Sequence, residues 1–122
     1  MKKSKAQELT QAELQIMQVV WAKEHVFVKD VLTEMPEPKP AYNTVSTFIR
    51  ILEKKGFIGH TAYGKTYEYY PLVPKEEYTG TFMTGVLNNF FGGSLSRLVS
   101  FFSDNKAISL EEADEILKML EK

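Results

Sequence analysis

At 122 residues and 14.0 kDa, the chain has the length of one domain with room for a short extension, which excludes a large multidomain enzyme. Its 43% hydrophobic, 25% charged and 12% aromatic residues are those of a globular chain able to bury a core. The net charge of −1 hides an asymmetry: residues 1–71 hold ten basic against eight acidic side chains, residues 72–122 five against eight, so the two parts are expected to do different work.

The first helix is announced by Thr10 followed by Glu13, the spacing of a capping box, with Leu9 placed to staple onto Leu14. Leu14, Ile16, Met17, Val20 and Trp21 then form an apolar stripe that ends near Lys23. A short apolar stretch, Val26 to Val28, leads into a compact helix from Lys29 to Met35, which Pro36, Pro38 and Pro40 bring to an end. The third helix is predicted from Ala41 to Lys55, with Val45, Phe48, Ile49 and Leu52 facing inward and Gly56 as its left-handed cap. Phe57 to Tyr63 and Thr66 to Tyr70 are short, aromatic and β-branched runs around Gly64 and Lys65, the pattern of a tight hairpin.

Beyond Pro71 and Pro74 three further amphipathic helices are predicted. They carry Phe82, Val86, Leu87, Phe90 and Phe91, then Leu95, Leu98, Val99 and Phe102, then, after a Ser109 cap, Ala113, Ile116, Leu117 and Leu120. The expected fold is therefore mainly α with a small β-hairpin: a winged helix-turn-helix domain over residues 1–73, followed by a helical dimerisation region over 74–122.

In a winged helix the third helix enters the DNA major groove and the hairpin reaches the flanking backbone. No carboxylate occurs from Ala41 through Leu52, although a merely solvated helix usually mixes acids with bases. Asn43, Ser46, Thr47, Arg50 and Lys54 fill the positions that the apolar stripe leaves free. Asn43, Thr44 and Thr47 are candidates for base-edge or close phosphate contact, and Arg50 for guanine or phosphate. Lys54, Lys55 and the wing residue Lys65 are candidates for sequence-blind phosphate contacts, with Tyr42 and Tyr63 as aromatic flankers. Trp21, Tyr67 and Tyr69 are read as core.

The runs AELQIMQVVW (residues 12–21), AYNTVSTFIRILEKKGFI (41–58) and GKTYEYYPLV (64–73) closely resemble the penicillinase repressor family of bacterial transcriptional repressors, which includes BlaI, MecI and CopY. The resemblance covers nearly all of the amino-terminal part. It implies a repressor that sits as a homodimer on a palindromic double-stranded operator, with Thr44, Thr47 and Arg50 in the groove; a cytoplasmic location is expected separately, from the absence of cysteine. Family members of the penicillinase type are inactivated by a membrane sensor-protease that cuts between asparagine and phenylalanine. The counterpart here is the bond between Ser100 and Phe101, with serine in place of asparagine. The copper-sensing cysteine cluster of CopY-like members has no counterpart, because the chain contains no cysteine.

Dimerisation is also expected from the residues themselves. Three short helices have too little mutual surface to hide Phe82, Phe90, Phe91, Phe101 and Phe102, and a second copy would complete the core. No enzyme constellation is visible: His25 and His60 lack partners at metal spacing, and nucleophile and phosphate-cradling motifs are missing, so neither a cofactor nor a metal is expected. Apolar runs are too short to span a bilayer, so no membrane insertion is expected. The competing reading is a winged-helix module that binds protein instead of DNA.

Overall fold

The computed structural model describes residues 8–120, apart from the side chains of Leu117, Met119 and Leu120. The elements run α1 (Gln11–Lys23), α2 (Val28–Glu34), α3 (Tyr42–Lys54), β1 (Ile58–Tyr63), β2 (Thr66–Pro71), α4 (Lys75–Phe91), α5 (Leu95–Asp104) and α6 (Leu110–Leu120). This is the predicted order of three helices, a hairpin and three helices, and the first five elements make a winged helix. The chain divides into two compact units, one ending at Thr79 and the other beginning at Gly80.

In the first unit the capping box is formed in full. The Glu13 amide donates to Thr10 Oγ1 at 3.2 Å, and the Thr10 amide donates to Glu13 Oε1 at 3.0 Å. α2 starts one residue earlier than predicted, because Asp30 reaches back to accept from the Phe27 amide at 2.9 Å and fixes the first turn there. The core gathers Ile16, Met17 and Val20 of α1, Val31 of α2, Val45, Ile49 and Leu52 of α3, and Phe57, Ile58, Tyr69 and Val73 around the hairpin. Phe48 and Trp21 pack against it while half-buried, and Trp21 Nε1 donates to the Val73 carbonyl at 2.9 Å.

The hairpin pairs Ile58 with Pro71 at its base and Tyr63 with Thr66 at its tip, so Gly64 and Lys65 make a two-residue turn. Gly64 has φ +65°, as the first position of a type II′ turn demands and as a residue with a Cβ would resist. The base is not a free ribbon. Val26 bridges to Tyr69 through two backbone bonds, from the Val26 amide at 2.9 Å and from the Tyr69 amide at 2.7 Å.

The seam falls after Thr79, six residues beyond the Val73 boundary expected from the prolines. Tyr78, in the first turn of α4, supplies the reason. Its hydroxyl accepts from the Leu9 amide at 3.0 Å, and its ring lies 5.8 Å from Phe57 and 6.1 Å from Trp21, which binds that turn to the first unit.

In the second unit α5 packs on α6, with Val99 and Ala113 buried between them. Ser109 caps α6 by accepting from the Glu112 amide at 3.0 Å. Phe101 meets the edge of Phe91 at 5.6 Å and that of Phe102 at 5.7 Å. α4 has no buried residue along its 17-residue length, an unusual state for a helix this apolar.

Candidate nucleic-acid interface

Helical periodicity sorts α3 into three faces. Val45, Ile49 and Leu52 are buried, which sends Asn43, Thr47, Arg50 and Lys54 to the opposite side as an exposed ridge. Tyr42 and Ser46 lie on the flank toward the hairpin. Thr44 lies on the other flank, where it borders a small apolar recess with Ile16, Pro38, Pro40 and Phe48. The first turn contains no acid, so the positive end of the helix dipole is unopposed where a duplex phosphate would approach.

Between α3 and the hairpin lies an open groove of about 600 Å³. Its walls are Phe27, Val28 and Lys29 at the start of α2, Tyr42, Ser46 and Arg50 of α3, and Lys65, Thr66, Tyr67 and Tyr69 of the wing. Three cations thus converge from three elements, and none of the lining residues carries a carboxylate. Such a surface can clamp phosphates along a backbone while the ridge beside it reaches base edges. Burial pushes the Tyr69 phenol up, and the Glu53 carboxylate adds to the effect, so this hydroxyl stays protonated at neutral pH.

Two residues stand otherwise than their sequence positions suggest, and a third joins the groove. Lys55, expected at phosphate, is engaged within the fold: its ammonium bonds Glu13 Oε1 at 2.8 Å and Oε2 at 3.0 Å, and neutralises a carboxylate that is only 3% exposed. Burial alone would push the Glu13 carboxyl up, but Lys55 and the Thr10 amide together hold it below the usual glutamate range. Tyr67 is not core but 44% exposed, because the ribbon has no cover near its tip. Lys29 was not singled out, yet it stands in the groove, brought there by the Val26 to Tyr69 bridge that the sequence does not announce. Tyr63 is exposed beside the wing turn, where its hydroxyl donates to Glu68 Oε1 at 3.4 Å.

One acid does occur on α3. Glu53 Oε2 lies 2.5 Å from His60 Nδ1 on β1, and the His60 ring stacks on Tyr67 with centroids 4.1 Å apart and planes 13° from parallel.

In the second unit the residues expected at a dimer interface are accessible. Phe82, Phe90, Leu95 and Phe102 are exposed, Phe90 to 75%, whereas Val86, Phe91, Leu98 and Ile116 are half-buried. The side chains of Leu117 and Leu120 lie outside the described residues. Ser100 and Phe101 are both exposed within α5. Among the described residues no His, Cys, Asp or Glu cluster could hold a metal ion, and no helix is long and apolar enough to cross a membrane.

Comparison with known proteins agrees with this architecture. The chain is 29% identical over 118 residues to the penicillinase repressor of Bacillus licheniformis, covering 96% of this chain and 92% of that one. It is 28% identical over 120 residues to the methicillin resistance regulatory protein MecI of Staphylococcus aureus, covering 98% of each. Among solved structures, the DNA binding domain of the repressor BlaI matches 64% of this chain and 94% of its own, at 28% identity and a TM-score of 0.54. An hsRosR-S4 complex shares the fold at 19% identity and a TM-score of 0.56. The penicillinase repressor family matches residues 9–122, nearly the entire chain, and the protein belongs to that family.

Proposed function

We propose that this protein is a DNA-binding transcriptional repressor that engages a palindromic operator as a homodimer. The observation that carries the reading is the groove in which Lys29, Arg50 and Lys65 converge without a carboxylate, beside a ridge of amide, hydroxyl and guanidinium groups. Thr47, Asn43 and Arg50 would face base edges, and Lys54, Lys65 and Lys29 the phosphates. Thr44 contacts a phosphate on the flank away from the wing.

Arg50→Ala is expected to weaken binding to the cognate site by about 1 to 3 kcal/mol, and to relax preference at one base pair if the contact is to a base. Lys65→Ala should instead weaken all duplexes alike and lower the slope of log affinity against log salt by about one. Fluorescence anisotropy over a salt series measures both. Affinity indifferent to salt would overturn the DNA reading in favour of a protein-binding module.

Repression would end when the paired form is lost, and the Ser100 to Phe101 bond is the candidate cleavage point for a membrane sensor-protease. The bond lies inside α5, so cutting requires local opening of that helix. Cells challenged with a penicillin, the compound class in the relatives' names, should then yield a fragment ending at Ser100 by intact-mass measurement. An uncut chain that has left its operator would overturn this route of release.

A further inference from the structure

Glu53 is out of place by simple electrostatics. It is the one acid of α3, on the helix that presents the candidate DNA ridge, where a carboxylate repels phosphate. Its oxygen is taken up by His60 of β1, at 2.5 Å, with both side chains about a third exposed. His60 pairs with Tyr69 across the ladder, and Tyr67 is its diagonal neighbour on the same face, within reach of aromatic contact. The imidazole lies flat on Tyr67 and meets Tyr69 edge-on at 5.8 Å. Tyr67 in turn lines the groove with Arg50 and Lys65. A continuous chain of contacts therefore runs from α3 through His60 to the outer half of the wing.

We propose that Glu53 and His60 are positioning residues that lock the wing to α3, and so hold Tyr67 and Lys65 at the groove where they meet the duplex. Neither side chain touches DNA. A two-stranded ribbon is marginal by itself; Val26 ties this one at Tyr69 on β2, the Glu53–His60 pair ties it at the same rung on β1, and the stack on Tyr67 carries that hold outward. The inference rests on the DNA-binding reading, and its test separates the two.

The probe is a short mixed-sequence duplex, because wing contacts to phosphate are sequence-blind. Loss of a negative charge from α3 should by charge alone tighten binding. The locking role predicts the opposite for Glu53→Ala: affinity falls about five- to tenfold, the worth of one charge-assisted contact, and the salt slope drops as it does in Lys65→Ala. Glu53→Gln, whose amide oxygen still accepts from His60, rescues binding, and His60→Phe, which keeps the stack but not the link, behaves like Glu53→Ala. Adding Lys65→Ala to Glu53→Ala brings no further loss, since the contact is already gone. In the free protein, His60→Ala should shift the Tyr67 ring resonances as the stack is lost. Glu53→Ala binding as tightly as the parent, or more tightly, overturns the inference and leaves the DNA reading standing. A parent protein that ignores every duplex at low salt overturns both.

Discussion

Lys55→Ala is expected to destabilise the first unit by about 2 to 3 kcal/mol, below the full range for a broken buried pair because Lys55 keeps partial contact with water. The cost arises at Glu13, which would remain buried with only the Thr10 amide for company. Urea unfolding should show a lower midpoint with an unchanged slope. The pH dependence carries a second signature. In the parent, the carboxyl is held below its unfolded value, so its contribution is full above the ordinary glutamate range and is lost as pH falls through the lowered value. Without Lys55, burial dominates and raises the folded value, and the sign reverses. The stability gap between parent and variant should therefore be widest near neutrality and narrow in acid. A gap constant with pH would show that Glu13 does not feel Lys55.

Phe90→Asp combined with Phe102→Asp should convert the protein to a monomer and reduce affinity for a two-half-site operator by about 100-fold or more, because the second half-site then no longer binds intramolecularly. Both side chains are exposed in a single chain, so the fold of each copy should survive. Phe101 and Leu95 are exposed in the same unit, and no residue of α4 is fully buried, a quantity of apolar surface that monomers rarely leave to water. Sedimentation equilibrium reads the mass, and duplexes with one or two half-sites read the coupling. A double variant that remains dimeric would place the pairing surface elsewhere.

What the sequence discloses, and what it withholds, follows from the range of the interactions. The Thr10 and Glu13 box, the α3 stripe and the Gly64 turn are each set within a few residues, and each stands where the pattern places it. The ridge of Asn43, Thr47, Arg50 and Lys54 is legible for the same reason, since helical spacing alone assigns it. Lys55 is not. A lysine at a helix end reads as a solvated charge, and its partner lies 42 positions away. Tyr67 and Tyr69 share one face of a strand, and alternation gives them equal claims on the core. Burial is instead decided by distance from the helical body, which covers Tyr69 and stops short of Tyr67. Lys29 in the groove and Tyr78 in the first unit likewise depend on contacts between segments that no local pattern joins.

The Val26 to Tyr69 bridge gives the wing a gradient of stiffness. At its base β2 is paired on both sides, by β1 and by Val26, and its amides there should resist solvent exchange longer than those beside the Gly64 turn, which the hairpin alone holds. Such a hairpin is a cantilever, stiffest at its root, so a strain applied at the turn is absorbed there before it reaches the helices.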